Sequence, residues 1–165
     1  MNTLVLGIGN ILLQDEGIGV HVVQDLETGY RLAPGVEVLD GGTSGMDLLD
    51  MVADRDHLIV VDAVQTGDPP GTLVVLRDQQ VRAFFRAKIS PHQLGLSDLL
   101  AALALMERSP KRLSLVGMIP ETMETGLELS ATVAARRADM LAQVLAELEA
   151  NGQGARALQR TGTAG

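Results

Sequence analysis

Four residues in this chain could do chemistry if the fold gathered them: Glu16, Asp40, Asp62 and His92. Glu16 stands in "LVLGIGNILLQDEGIG", residues 4–19, where an apolar run enters two glycines, an asparagine, an acidic pair and two more glycines. Asp40 ends a second apolar run at "VLDGGTSG", Asp62 ends a third at "LIVVDA", and His92 lies in "SPHQ", residues 90–93. In an open α/β sheet the parallel strands bring their carboxyl ends to one common edge, where ligands bind. Glu16, Asp62 and His92 could meet there as a carboxylate–carboxylate–imidazole set, a donor combination suited to nickel or zinc. The first-turn position of His92 places it at the positive end of a helix dipole, which favours the neutral, metal-binding imidazole. Each residue also has a plainer reading. Glu16 or Asp15 could simply cap a helix, Asp62 could simply accept backbone hydrogen bonds, and His92 could be solvated.

The glycines around Glu16 invite a nucleotide-loop reading that the details oppose. A dinucleotide fingerprint needs G-x-G-x-x-G, and Leu12 occupies the third glycine's place after Gly7 and Gly9. Two carboxylates at the entrance of a helix repel a phosphate. No Gly-Lys-Ser/Thr triplet supports a P-loop. Composition narrows the chemistry further. The chain has 165 residues, 46% of them hydrophobic, enough for one well-buried domain. Its formal net charge of −8 disfavours nucleic acid as a partner. The absence of cysteine removes thiolate nucleophiles and sulfur metal cages, leaving carboxylate, imidazole and amide ligands for any metal. "TSG" at 43–45 is not G-x-S-x-G, so Ser44 reads as a turn residue. His21 and His57 read as surface or packing residues.

The elements that must carry these residues follow from periodicity. Short apolar runs at Thr3 to Ile8, Val36 to Leu39, His57 to Val61, Leu73 to Leu76 and Leu113 to Met118 read as five strands. Helical spacing covers Gly17 to Leu26, Met46 to Val52, and the stretch after "SPHQ" through Leu103. It covers Ser130 to Ala150 as well. Ser90, Pro91 and Gln93 form a capping box with proline at the first helical position. The "AVQTGDPPG" loop is too short for a helical crossover, so the strand after it should run antiparallel to its neighbour. The expected fold is a three-layer α/β/α sandwich around a five-stranded, mostly parallel sheet with one antiparallel strand. The domain spans 1–150, and 151–165, lacking periodicity, is expected to be a disordered tail. The amino-terminal apolar run lacks a basic flank and ends quickly at glycines. It therefore reads as a strand, with no membrane insertion and a cytoplasmic address expected.

The ordered set "GIGN…DEGIG", "DGGTSG…LL", "VVDAV…PG", "SPHQLGLSDLL" and "GLELSATV" closely resembles the hydrogenase maturation endopeptidases. The resemblance runs from residue 3 to about residue 145. It implies an endopeptidase of aspartyl type that trims the carboxy-terminal extension from the large-subunit precursor of a nickel–iron hydrogenase. The family's nickel trio falls on Glu16, Asp62 and His92, and Asp40 matches another acidic position linked with activity. Catalytic roles are thus expected of Asp40, Glu16 and Asp62. The nickel is expected to be carried by the substrate rather than held permanently. Ile119 in "GMIPE" departs from relatives that often carry glutamine before the proline. Two alternatives stay open: a non-catalytic nickel-sensing chaperone, and a nucleotide-binding α/β module. The aromatic pair in "VRAFFRAK", Phe84 and Phe85, is either core or a docking patch.

Overall fold

Continuous apolar strands demand cover on both faces, and the structure supplies it with two helical layers. The protein is described here by a computed structural model covering residues 1–87 and 90–159. The strands are β1 (Thr3–Ile8), β2 (Tyr30–Arg31), β3 (Val36–Gly42), β4 (His57–Ala63), β5 (Leu73–Arg77), β6 (Arg112–Met118) and β7 (Arg156–Ala157). The helices are α1 (Ile18–Gly29), α2 (Leu49–Val52), α3 (Gln79–Arg86), α4 (Pro91–Leu105) and α5 (Ala131–Ala150). The main sheet has five strands in the order β3-β1-β4-β6-β5. β1, β3, β4 and β6 run parallel, whereas β5 pairs antiparallel with β6. The expected sandwich and its single antiparallel strand are both present.

Strand parity sorts side chains between the layers. Leu4, Leu6, Leu58 and Val60 pack with Val81 and Phe85 of α3 and with Leu96, Leu99 and Leu103 of α4. Val5, Ile59 and Val61 pack on the other face with Ile18 and Val22 of α1 and with Met140 and Val144 of α5. Phe85 is fully buried and Phe84 packs against the same cluster, in edge-to-face contact with it. Both therefore belong to the core. The sequence reading missed α3, a short helix whose two inward residues are too few for a convincing period. Lys88, the last residue of "VRAFFRAK", lies outside the described residues. Among the described residues no helix is long and apolar enough to cross a membrane.

The carboxy-terminal segment corrects one expectation. Residues 151–159 are seated on the domain, and 160–165 lie outside the described residues. Gln153 is buried, accepts from the Thr3 hydroxyl at 2.7 Å, and donates to the Met1 carbonyl at 2.8 Å. β7 pairs antiparallel with β2. A segment held by polar side chains and a two-residue bridge has no apolar period to reveal it in sequence.

The same end of the molecule holds a buried polar chain. Asn151 meets His57 Nδ1 at 2.8 Å, His57 Nε2 meets the Ser114 hydroxyl at 2.8 Å, and Ser114 donates to Glu147 at 2.8 Å. Glu147 is also paired with Arg77. This chain ties α5 to the sheet at the edge remote from the strands' carboxyl ends. His57 is thus a packing residue with polar partners, as its sequence reading allowed.

Two outcomes follow from this edge. Truncation after Ala150, or Gln153→Ala alone, should destabilise the fold. Losing the buried bonds of Gln153 costs about 1–3 kcal/mol, which thermal unfolding registers as a fall of several degrees in Tm. An unchanged Tm on truncation would return the segment to the status of a free tail. The second outcome concerns pH. Burial, assisted by nearby Arg112, lowers the His57 pKa against the opposing pull of Glu147. The unfolded chain therefore takes up the proton first. The stability contributed by neutral His57 is complete above about pH 6.5 and is lost as pH falls through the folded-state value. In His57→Gln the drop in Tm between about pH 7.5 and about pH 5.5 should be smaller than in the parent.

Candidate functional site

Each member of the expected trio is delivered by a different piece of the fold. β1 ends at Ile8, and the chain then turns through Gly9 into a 3-10 turn, Gln14–Gly17, that carries Glu16. Gly9 has φ of +130°, and a Cβ there would lie 2.1 Å from the Glu16 carbonyl oxygen. A side chain at that point would force the Glu16 turn away from the strand. Gly19 does the same for α1, since its Cβ would lie 2.1 Å from the Val61 carbonyl oxygen of β4. The glycines around the acidic pair thus serve close backbone approach, which answers the phosphate-loop reading with a packing reason.

Asp62 is the sixth residue of β4 and shares the parity of Leu58 and Val60, so its side chain enters the α4 layer. It is fully buried. His92 is the second residue of α4, behind Pro91. Ser90 caps this helix, accepting from the Gln93 amide at 3.4 Å. Only this half of the expected capping box forms. The Gln93 side chain turns inward, where its Nε2 donates to Asp62 Oδ2 at 3.0 Å and to the Ala63 carbonyl at 3.1 Å. Gln93 therefore holds one oxygen of Asp62, a role that its capping pattern concealed.

His92 sits between the two carboxylates. Its Nδ1 lies 2.9 Å from Glu16 Oε1, and its Nε2 lies 3.2 Å from Asp62 Oδ1 and 3.3 Å from Oδ2. Both ring nitrogens face carboxylate oxygen, an arrangement that favours the protonated ring. Burial works against the charged ring, but Asp62 and Glu16 outweigh it and the His92 pKa is raised. The shift runs opposite to the one expected from the helix dipole, because two close carboxylates dominate a terminal half-charge. The Asp62 pKa is also raised, by burial first, with His92 and Gln93 partly offsetting it. Among the described residues no three acidic, histidine or cysteine side chains are spaced around a vacant ion position. The three are gathered instead by hydrogen bonds through the imidazole. The donor types, two carboxylate oxygens and an imidazole nitrogen, suit a borderline divalent ion.

Glu16 and His92 line a cleft of about 790 Å³ together with Asn10, Leu13, Pro120 and Met123, while Asp62 is buried against His92. Asp40 is placed elsewhere. It is exposed on β3, its Oδ1 accepts from the Gly42 amide at 3.0 Å, and it lines a neighbouring hollow of about 320 Å³. Thr43 lines both spaces and is the seam between them. Asp15, the other half of the acidic pair, is fully buried and does not line the cleft. Its carboxylate accepts from backbone and hydroxyl groups of Glu121, Thr122 and Ser130. Adjacent residues on a 3-10 turn diverge by about a third of a turn, so one acid can face ligand while the next faces protein. His21, on α1, has its pKa lowered by burial and then by Arg137.

Comparison with known proteins agrees with the resemblance carried by the motifs. The family model for hydrogenase maturation protease matches residues 20–147. The hydrogenase 2 maturation protease of Escherichia coli (strain K12) is 54% identical over 153 residues, covering 92% of this chain and 93% of that protein. The hydrogenase expression/formation protein HupD of Rhodobacter capsulatus is 44% identical over 151 residues, covering 90% of this chain and 72% of that protein. Among solved structures, the hydrogenase maturating endopeptidase HybD from E. coli is similar with a TM-score of 0.92 at 53% identity. That likeness covers 95% of this chain and 98% of the solved one. With the α/β sandwich, the ordered motifs and these relatives in agreement, the chain belongs to the hydrogenase maturation protease family.

Proposed function

We propose that this protein is an endopeptidase that removes the carboxy-terminal extension of a nickel–iron hydrogenase large-subunit precursor after nickel has been inserted. In this reading Glu16, Asp62 and His92 recognise the nickel that the substrate carries. The observation that supports it most is the meeting of these three side chains from three separate elements, with Glu16 and His92 lining one cleft and Asp62 buried against His92. A set of two oxygens and one nitrogen without thiolate is a modest permanent nickel site. It is well suited to completing the shell of an ion held mainly by another protein.

Peptide hydrolysis requires a water oxygen to bond to the scissile carbonyl carbon and to give up a proton to a base. The C–N bond then breaks, and the leaving nitrogen takes a proton. A substrate-borne cation beside that carbonyl would polarise it or acidify the attacking water. Within the chain, Gln93 fixes Asp62 behind His92 and the glycine-packed turn fixes Glu16, so Glu16 and His92 face the cleft in a set geometry. Asp40 meets substrate only where an extended segment crosses Thr43 into the neighbouring hollow. A base role for Asp40 therefore requires the substrate to reach that neighbouring hollow.

The trio should fail as a unit. Glu16→Gln and Asp62→Asn keep shape while removing charge and exchanging one acceptor oxygen for an NH2, and His92→Ala removes the nitrogen ligand. Each should cost on the order of ten- to hundredfold in processing rate, by the scale of metal-shell losses. A double variant should be little worse than the worse single one, because parts of one unit are not additive. The measurement is intact mass of a nickel-loaded precursor after incubation, with far-ultraviolet circular dichroism confirming folded variants. Parent protein that binds the loaded precursor yet leaves its mass unchanged would favour the non-catalytic nickel sensor. Normal processing by folded Asp62→Asn would remove the metal-recognition role.

A further inference from the structure

Asp15 and Glu16 are neighbours in sequence with opposite tasks. The Asp15 carboxylate is fully buried and accepts four hydrogen bonds, all from residues 121–130. Its Oδ2 takes the Glu121 amide at 2.9 Å, the Thr122 amide at 3.1 Å and the Ser130 hydroxyl at 2.7 Å. Its Oδ1 takes the Ser130 amide at 2.8 Å. Backbone bonds stitch the same two segments together: Gln14 to the Gly126 carbonyl at 3.0 Å, and Gly126 to the Leu12 carbonyl at 2.8 Å. Three N–H groups and one O–H can converge only on a group that is purely an acceptor. Asparagine in this place would turn its own NH2 toward those donors.

The clamped segment is a wall of the cleft. Pro120 and Met123 line it together with Glu16 and His92, and Met123 is 48% exposed. Glu16 is the next residue after the clamp, so the distance between this wall and the trio is set at Asp15. We propose that Asp15 is a positioning residue: it fixes the 120–130 wall relative to Glu16, so that Pro120 and Met123 seat the precursor segment beside its nickel. The proposal deepens the proposed function and rests on that reading for its substrate. Asp15 itself touches neither substrate nor metal; it acts through the wall.

The test uses the full chain with Asp15→Asn and Met123→Ala. In Asp15→Asn, hydrogen exchange at the amides of Glu121, Thr122 and Ser130 should lose protection by at least about tenfold, with β1 and β4 unchanged. The KM for nickel-loaded precursor should rise by about tenfold while kcat stays within about threefold. Titration with nickel chloride alone should show affinity within about twofold of the parent, since the trio is intact. Met123→Ala, at an exposed position, should raise KM in the same way with amide protection retained. Intact local protection in Asp15→Asn overturns the proposal, as does a loss confined to kcat. Failure of Asp15→Asn to fold, or exchange rising throughout the chain, makes Asp15 a general structural residue and also overturns it. An unchanged KM in Met123→Ala removes the wall from substrate seating. If the parent cleaves no precursor, the functional reading fails, while the local exchange of Asp15→Asn still judges the clamp.

Discussion

One imidazole held between two carboxylates organises the working edge of this protein. Asp62 is fully buried, and a lone carboxylate in such a place carries a large desolvation cost. His92 and Gln93 offset that cost by donating to it, and Glu16 closes the other side of the ring. Hydrogen bonds within the protein thus hold the ring and both carboxylates in one fixed arrangement.

Holding those three residues together constrains elements far apart in sequence. The Glu16 turn must lie against β4, and the glycines at 9 and 19 make that approach possible. Asp62 must fall on the α4 side of the sheet, which strand parity decides. A shift of one residue would send it into the α1 and α5 layer. His92 must stand in the first turn of α4, where Ser90 and Pro91 set the start of the helix. Sheet pairing between β1 and β4 then brings the first of these pieces beside the second, and the packing of α4 on the sheet brings the third.

The two ends of the sheet divide the labour. The carboxyl ends of the strands carry the trio, the cleft and Asp40, where polar groups face a ligand space. The opposite edge carries the His57–Ser114–Glu147 chain and the Gln153 bonds, where polar groups face only one another. Closed polar networks of this kind specify how layers dock rather than what they bind. Membership of the hydrogenase maturation protease family fits the first edge, and the second edge anchors the long α5 helix that completes the domain.

Much of this was legible in the chain itself. Apolar runs five or six residues long, interrupted by glycine and acid, could only be buried strands, and their alternation with helical periods dictated a sandwich. The ordered motifs marked Glu16, Asp62 and His92, because a residue at a strand end or in a helix's first turn is placed by local rules. Other features depended on long-range contact, which periodicity does not encode. These include the opposite facing of Asp15 and Glu16, the inward turn of Gln93 and the raised His92 pKa. The seating of Gln153 belongs with them, as does the separation of Asp40 from the trio. A carboxylate's type and position are written in sequence, but its partner is chosen only when distant segments close around it and exclude water.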